Sequence, residues 1–403
     1  MTNKIIGLTF FLSCTIFVVY SQNYIEGIVY DSSTYLPIPN VNIYLADEIR
    51  GTASNDEGAF FLEISKFPST IVFSHVNYGR TEKLFYKSSN LNKIELAPLA
   101  IELNEIIVSA SDPIQLISGV YENLSRLKDS ISSKGFYRQW TKNDNVYSEL
   151  IEKFYTSKIN NQGIDVWRMD QGRYAVRKDI EEKKYLVNNN FSAFTENYLV
   201  FQKEIRSIVF PIVENAQDYF DFKIKSILKS KEKNGDDIYI ISFSPKKGIA
   251  KPGFQGEVFV SSNYDLIKFK GAVNDPRFFP LPESQRKSIS DLSLIYEVSS
   301  DNKKNNSILI ESIKVDLLYK FKVDDKLTRN FHAHSFFFVH DIIKTEEKTI
   351  LPTVSNSDFI DINNASYDES FWEKNNVLLQ TPIEKDIIKQ FKKTKSFGRI
   401  FQK

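Results

Sequence analysis

Gly27-Ile28-Val29-Tyr30-Asp31, Pro37-Ile38-Pro39-Asn40-Val41-Asn42-Ile43 and Gly51-Thr52-Ala53-Ser54-Asn55-Asp56-Glu57-Gly58-Ala59-Phe60 follow one another near the start of this chain. Phe73-Ser74-His75-Val76-Asn77-Tyr78 and Leu103-Asn104-Glu105-Ile106-Ile107-Val108 come after them. Residues 25–30, 41–46, 59–64, 71–76, 82–86, 93–96 and 105–109 are short runs rich in β-branched and aromatic side chains, separated by turn formers. That spacing predicts a β-sandwich or barrel. Val41, Ile43 and Leu45 alternate with Asn42, Tyr44 and Ala46, which makes one face apolar. Leu36-Pro37-Ile38-Pro39 cannot be an interior strand, because proline donates no ladder hydrogen bond, and it reads as an edge crossing. Asn55-Asp56-Glu57-Gly58 reads as a hairpin turn with Gly58 at positive φ.

These motifs resemble the carboxypeptidase regulatory-like domain, a transthyretin-like sandwich of bacterial envelope proteins. The resemblance implies a secreted, non-catalytic module over residues 23–110. The preceding residues fit that compartment. Lys4 is followed by an apolar run over residues 5–20, and Val19 and Ser21 stand at the −3 and −1 positions before Gln22. This is the pattern of a secretory signal peptide over residues 1–22, and the run is short for a spanning helix. Cys14, the only cysteine, falls inside it in a poor lipoprotein box, so the expected mature chain has no disulfide.

Beyond the sandwich, Asp112 is a helix cap and Pro113 a first helical residue. Ile114, Ile117, Val120, Tyr121, Leu124 and Leu127 then recur at helical spacing to about Asp129, giving a connecting amphipathic helix within residues 111–134. Its apolar face is expected to dock on the domain that follows. Residues 135–354 carry ten strand patterns, at 136–140, 146–157, 165–176, 220–228, 237–243, 256–260, 266–272, 292–298, 307–319 and 329–339. Lys233-Asn234-Gly235-Asp236 and Ser261-Ser262-Asn263-Tyr264-Asp265 read as hairpin turns. The expected fold is therefore mainly β: an Ig-like or transthyretin-like sandwich, then a curved antiparallel, half-barrel-like sheet with flanking helices. A helix is expected near residues 195–208.

Gly135-Phe136-Tyr137-Arg138, Asp237-x-Tyr239-x-Ile241-x-Phe243 with Pro245, and Gly256-x-Val258-x-Val260 with Leu266-Ile267-Lys268 resemble the segment that follows the regulatory-like domain in a group of uncharacterised Gram-negative envelope proteins. The last two stretches are also similar to the lipoprotein-carrier half-barrel, a likeness that any strand hairpin with a polar turn would share. Residues 355–366 are polar and read as a linker. Thr381, Pro382 and Glu384 form a capping box, and Ile383, Ile387, Ile388 and Phe391 form the apolar stripe of a C-terminal helix with lysines toward its end. That helix is expected to pack back on the sheet; the sharper alternative is contact with anionic lipid.

Composition narrows the function. A length of 403 residues with 42% hydrophobic residues can build two or three cores, and a net charge of +1 argues against a nucleic-acid surface. No stretch of eighteen apolar residues follows the leader. Catalytic patterns are poor. None of His75, His332, His334 and His340 has glutamate three residues later, as a carboxypeptidase zinc site requires, and no nucleophile elbow, P-loop or dinucleotide fingerprint is present. The carboxylate pairs Asp236-Asp237, Asp324-Asp325 and Glu346-Glu347 sit in charged, turn-like stretches. His332 and His334 share one strand face, but His340 lies about 20 Å farther along a straight strand. No metal and no cofactor is expected, although a carboxylate from a neighbouring strand would complete a site. The best candidate interaction surface is the loop over residues 271–291, with Arg277, Phe278, Phe279, Arg286 and Lys287 as aromatic and basic contacts. Its plainer role is for the two phenylalanines to plug the sheet. The expectation is a non-catalytic binding or scaffolding protein of the periplasm or outer membrane, with an envelope protein, glycan or lipid as partner. The rival expectation is a carrier or chaperone that holds a lipid or lipoprotein in the half-barrel. A filled concave face would favour the first and an open apolar one the second.

Overall fold

The computed structural model describes residues 23–46, 51–99, 112–177, 186–187, 190–205, 208–229, 235–251, 253–274, 287–301, 308–323, 327–343, 357–374, 379 and 382–393. The sandwich comprises β1 (Tyr24–Asp31), β2 (Asn42–Leu45), β3 (Gly51–Ala53), β4 (Ala59–Glu63), β5 (Ser69–His75), β6 (Tyr78–Phe85) and β7 (Ser89–Leu96). One sheet has the order β4-β1-β7 and the other β3-β2-β5-β6. Ile25, Val29, Val41, Ile43, Phe60, Ile71, Phe73 and Leu96 close the core between them, with Phe60 edge-on to Phe73 at 5.5 Å. Gly58 takes φ +70°, and a Cβ there would lie 2.4 Å from the Val29 carbonyl, so the turn needs glycine. The short β3 was not evident in sequence, since three residues with small side chains leave no alternation to read. The strand expected at 105–109 lies outside the described residues.

Helix α1 (Pro113–Arg126) starts as the sequence implies, with Asp112 accepting a hydrogen bond from the Ile114 N–H. Leu116, Ile117, Val120 and Leu124 are buried, whereas Ile114 is exposed. Ten strands follow: β8 (Ile131–Asn143), β9 (Val146–Asn160), β10 (Gly163–Val176), β11 (Phe220–Leu228), β12 (Ile238–Pro245), β13 (Gln255–Ser261), β14 (Leu266–Asn274), β15 (Ile289–Asp301), β16 (Leu309–Lys322) and β17 (Thr328–Ile342). They form one antiparallel sheet in the order β10-β9-β8-β17-β16-β15-β14-β13-β12-β11, which is not closed into a barrel. The ten expected strands are all present. Consecutive hairpins account for most of the order; only the β17–β8 pairing joins strands distant in sequence.

The two faces of this sheet differ sharply. One cross-strand row reads Ile224, Ile241, Val258, Phe269, Val298, Ile313, Phe337, Tyr137 and Lys153. The adjacent row, on the opposite face, reads Lys223, Ser242, Glu257, Lys270, Glu297, Lys314, Phe336, Arg138, Glu152 and Arg173. Alternating side chains thus give one apolar face and one face of alternating charge. The apolar face is covered by the chain itself. Helix α1, the one-turn helix α2 (Ala193–Glu196), the irregular residues 197–205 and 208–216, and α3 (Asp358–Asn364) all pack into its core, where Phe191, Val200, Ile212 and Ile362 are buried. The helix expected over 195–208 is confined to α2. Beyond it the backbone is irregular, with an isolated bridge between Phe201 and Ile212. Its apolar residues fill the space over the sheet rather than one helical stripe.

The stretch read as a linker contains α3. The Ser357 side chain caps it by accepting from the Ile360 N–H, and Asp358 and Ile362 are buried. From α3 the chain crosses the edge strand β10, where the Gln171 side chain donates to the Ser366 carbonyl and accepts from the Asp368 N–H. It continues as α4 (Glu369–Lys374) and α5 (Pro382–Lys393) on the charged face. Phe371 and Trp372 pack on Phe154, and Ile387 packs with Leu150 and Ala175. This C-terminal strap covers both faces of an edge that would otherwise be open to strand addition. Thr381 and the side chains of Ile383 and Phe391 lie outside the described residues. Among the described residues, no helix is long and apolar enough to cross a membrane.

Candidate functional site

The sandwich, the charged face of the sheet and the strap meet over β8, β17 and β16. Ala53 of β3 joins Phe136, Phe154, Phe336 and Phe338 in a small apolar cluster. Asn42 donates to Glu311 at 2.5 Å, and the Lys314 ammonium lies 3.8 Å from Asp56. Between these contacts is a small cleft of about 30 Å³, room for about one water molecule, lined by Asn40, Ser54, Asn55, Asp56, Arg138, Lys314, His334, Phe336 and Glu384. The sandwich side of it is shaped by Asn55, whose Oδ1 accepts from the N–H groups of Glu57 and Ala59 and fixes the turn.

At the floor, Arg138 is 5% exposed and binds Glu152 at 2.8 Å and Glu384 of α5 at 2.9 Å. Arg173 binds the other Glu152 oxygen at 2.5 Å and stacks on Trp372 at 4.2 Å. Burial opposes the charge on Arg138, but Glu384 and Glu152 outweigh it and raise the guanidinium. Burial likewise pushes Glu152 up, while Arg173 and Arg138 together hold it below the usual carboxylate range. These charges are used in holding the strap to the sheet.

The next row across the same strands holds the chemistry. Trp140 of β8, His334 of β17 and Asp316 of β16 are direct cross-strand neighbours. His332 stands two residues before His334 on the same face. His332 Nε2 and His334 Nδ1 lie 2.7 Å and 2.8 Å from the same Asp316 Oδ1. The Trp140 ring is stacked on His334 at 5.0 Å and edge-on to His332 at 4.8 Å. Burial alone would raise the Asp316 carboxyl; the hydrogen bonds to His332 and His334, with the charges of His334 and Lys314, hold it well below its ordinary value. Two imidazoles and one carboxylate, with ligand atoms all within 4.8 Å of one another, can hold a cation. Among the described residues, no serine, threonine or lysine is hydrogen-bonded to either ring.

The histidine pair expected from sequence is therefore together, and His340 is apart from it, packed by ring contact against Phe154 at 6.0 Å and Phe338 at 6.3 Å. Sequence reading missed Asp316, Arg138 and Glu384. Of the loop residues expected to form an interaction surface, Arg277, Phe278, Phe279 and Arg286 lie outside the described residues. Lys287 is exposed and precedes β15, away from the cleft lining. A second, open trough runs over the charged face of β11–β14, past Lys223, Lys225, Glu257 and Lys270. Its charges are largely paired, Lys225 with Glu257 and Lys270 with Glu297.

No curated protein matches the chain. A solved structure from Bacteroides fragilis, described as a membrane-associated protein of unknown function, is similar over 79% of this chain and 97% of that one, at 8% identity and a TM-score of 0.15. A TM-score of that size does not establish a shared fold. Residues 25–108 match the family model of the CarboxypepD_reg-like domain, which accounts for the N-terminal sandwich.

Proposed function

We propose that this chain is an exported cell-envelope binding or scaffolding protein without catalysis of its own. Its CarboxypepD_reg-like sandwich offers a protein- or glycan-binding surface from a fixed seat on the large sheet. The observation that carries this reading is the filled apolar face. A carrier of a lipid or acyl chain needs an open apolar cradle. Here Phe191, Val200, Phe201, Ile212 and Val213 occupy that face and are at most 3% exposed. The junction cleft is small and rimmed by charged and amide side chains, and the trough over β11–β14 interleaves Lys223, Lys225, Glu257 and Lys270 with Ile224, Phe243, Ala272 and Ile295. Such a mixed surface suits a protein or glycan partner, which presents polar groups and apolar patches together.

The test is purification of the tagged full chain from envelope fractions, with mass spectrometry of co-purifying proteins and of an organic extract, and N-terminal sequencing of the product. The expected result is a mature chain beginning near Gln22, retained partner protein or glycan, and no stoichiometric lipid. One lipid per chain would restore the carrier reading, and a chain still beginning at Met1 would end the assignment to export.

A further inference from the structure

We propose that Asp316, His332 and His334 bind one divalent transition-metal cation of the zinc class on the charged face of the sheet. The site borders the junction cleft through His334, and ion binding here does not depend on that cleft taking a partner. Its donor set is two imidazole nitrogens and one carboxylate oxygen, the mixture that suits zinc and its neighbours better than calcium or magnesium, which take oxygen ligands. Nothing about the three residues is left to loop geometry. They sit on the paired strands β16 and β17, inside a ten-stranded sheet, and the register puts Asp316 directly opposite His334.

The distances set the movement that an ion requires. In a tetrahedral site with bonds of about 2.0–2.1 Å, neighbouring ligand atoms are about 3.3 Å apart. The two nitrogens now stand 2.7 Å and 2.8 Å from Asp316 Oδ1 and within 4.8 Å of each other. Opening each oxygen gap by about half an ångström and bringing the two nitrogens to about 3.3 Å admits the ion. Each ring then presents the nitrogen that now faces Asp316 as a lone pair and carries its proton on the other nitrogen. Trp140, stacked on one ring and edge-on to the other, holds both imidazoles in place, the supporting role that outer residues play around metal ligands. The ligands are reachable: the His332 side chain is 34% exposed, His334 12% and Asp316 16%. Three protein ligands leave a position for water or for a donor from a bound partner, and His334 also lines the junction cleft.

The test is titration of the full chain with Zn²⁺ by calorimetry and with Co²⁺ by visible absorption. The expected result is one ion per chain with micromolar or tighter affinity, ligand-field bands on Co²⁺ binding, and quenching of tryptophan emission by the bound Co²⁺ next to Trp140. Asp316→Asn, H332A and H334A should each weaken binding by at least about tenfold, while His340→Ala and His75→Gln should leave it unchanged. Asp316→Asn keeps the shape of the side chain, so it reports on ligation even where a histidine variant fails to fold. Absence of binding to the native chain, or equal binding by native and Asp316→Asn protein, overturns the proposal.

Discussion

Lys153→Met is the most informative single perturbation of this fold. Lys153 stands in the apolar row of the sheet, beside Tyr137, with its side chain 1% exposed. Its ammonium is paired with Asp358 of α3, itself 2% exposed, whose Oδ1 also accepts from the Ser192 hydroxyl at 2.6 Å. Methionine keeps most of the aliphatic stem but leaves the Asp358 carboxylate without its countercharge among Phe191, Tyr155 and Ile362. Its second oxygen, Oδ2, has no hydrogen-bond partner among the described residues. Removing one member of a buried pair costs about 3–5 kcal/mol, against a total stability of about 5–15 kcal/mol for a typical domain. The double variant Lys153→Met with Asp358→Asn removes both charges and retains an acceptor for Ser192, so its loss should be about 2 kcal/mol less than the single variant's. Urea unfolding followed by tryptophan fluorescence reads this directly, because Trp167 lies in the same core. A Lys153→Met protein within about 1 kcal/mol of native, or a double variant as unstable as the single one, would show that the pair does not hold α3 to the sheet.

Two further outcomes follow from the junction. His75 accepts a hydrogen bond from the Asn77 N–H through Nδ1, and burial followed by the nearby Lys268 charge lowers it from 6.5 to about 3. The folded chain therefore refuses a proton that the unfolded chain takes, so this contribution is complete above pH 6.5 and declines as pH falls toward 3, at up to about 1.4 kcal/mol per pH unit and less in proportion to the solvent exposure of the ring. Urea unfolding of His75→Gln should be flatter than native over that window; an unchanged slope would count against the assignment. Glu384→Gln should loosen α5 selectively, at a cost of about 1–3 kcal/mol, by weakening its bond to Arg138. Hydrogen exchange should then quicken across Pro382–Lys393 and remain slow in β9, whereas equal quickening in both would mean that Glu384 supports the sheet as a whole.

The large sheet was legible because its information is local. Alternation at 220–228, 266–272 and 329–339 names strands, and polar turns between them dictate hairpins. The β17–β8 pairing and the parallel β1–β7 pairing carry no local signal, since they join strands distant in sequence. Residues 355–366 look like a linker because Asp358 is buried only by virtue of Lys153, 205 positions away. Residues 195–208 look helical because apolar positions recur at irregular short intervals, which a filler packed on a flat apolar face also requires. The metal-capable cluster was half legible. His332 and His334 announce a shared face, but Asp316 is found only through register. The β16–β17 register is symmetric about position 325, where the sequence has the turn-forming pair Asp324-Asp325. Folding the chain about that point would have set Asp316 opposite His334 before any coordinates existed.

The placement of charge explains how the three parts of the chain find one arrangement. Apolar contacts are tolerant, and a strap with Ile362, Phe371, Trp372 and Ile387 could settle on many apolar surfaces. Buried charges are not tolerant, because an unpaired one costs several kcal/mol while a paired one contributes little net stability. The strap carries one acid for each face of the sheet: Asp358 meets Lys153 on the apolar face, and Glu384 meets Arg138 on the charged face. Gln171 marks the edge where the chain must cross between them. A strap shifted by one turn would bury at least one of these groups without its partner. Asn55 of the sandwich then reaches the Leu379 carbonyl at 3.5 Å, just before α5. The strap thus adds to the seat that Ala53, Asn42 and Asp56 already make on the sheet, and Glu384 of α5 completes the lining of the cleft beside His334.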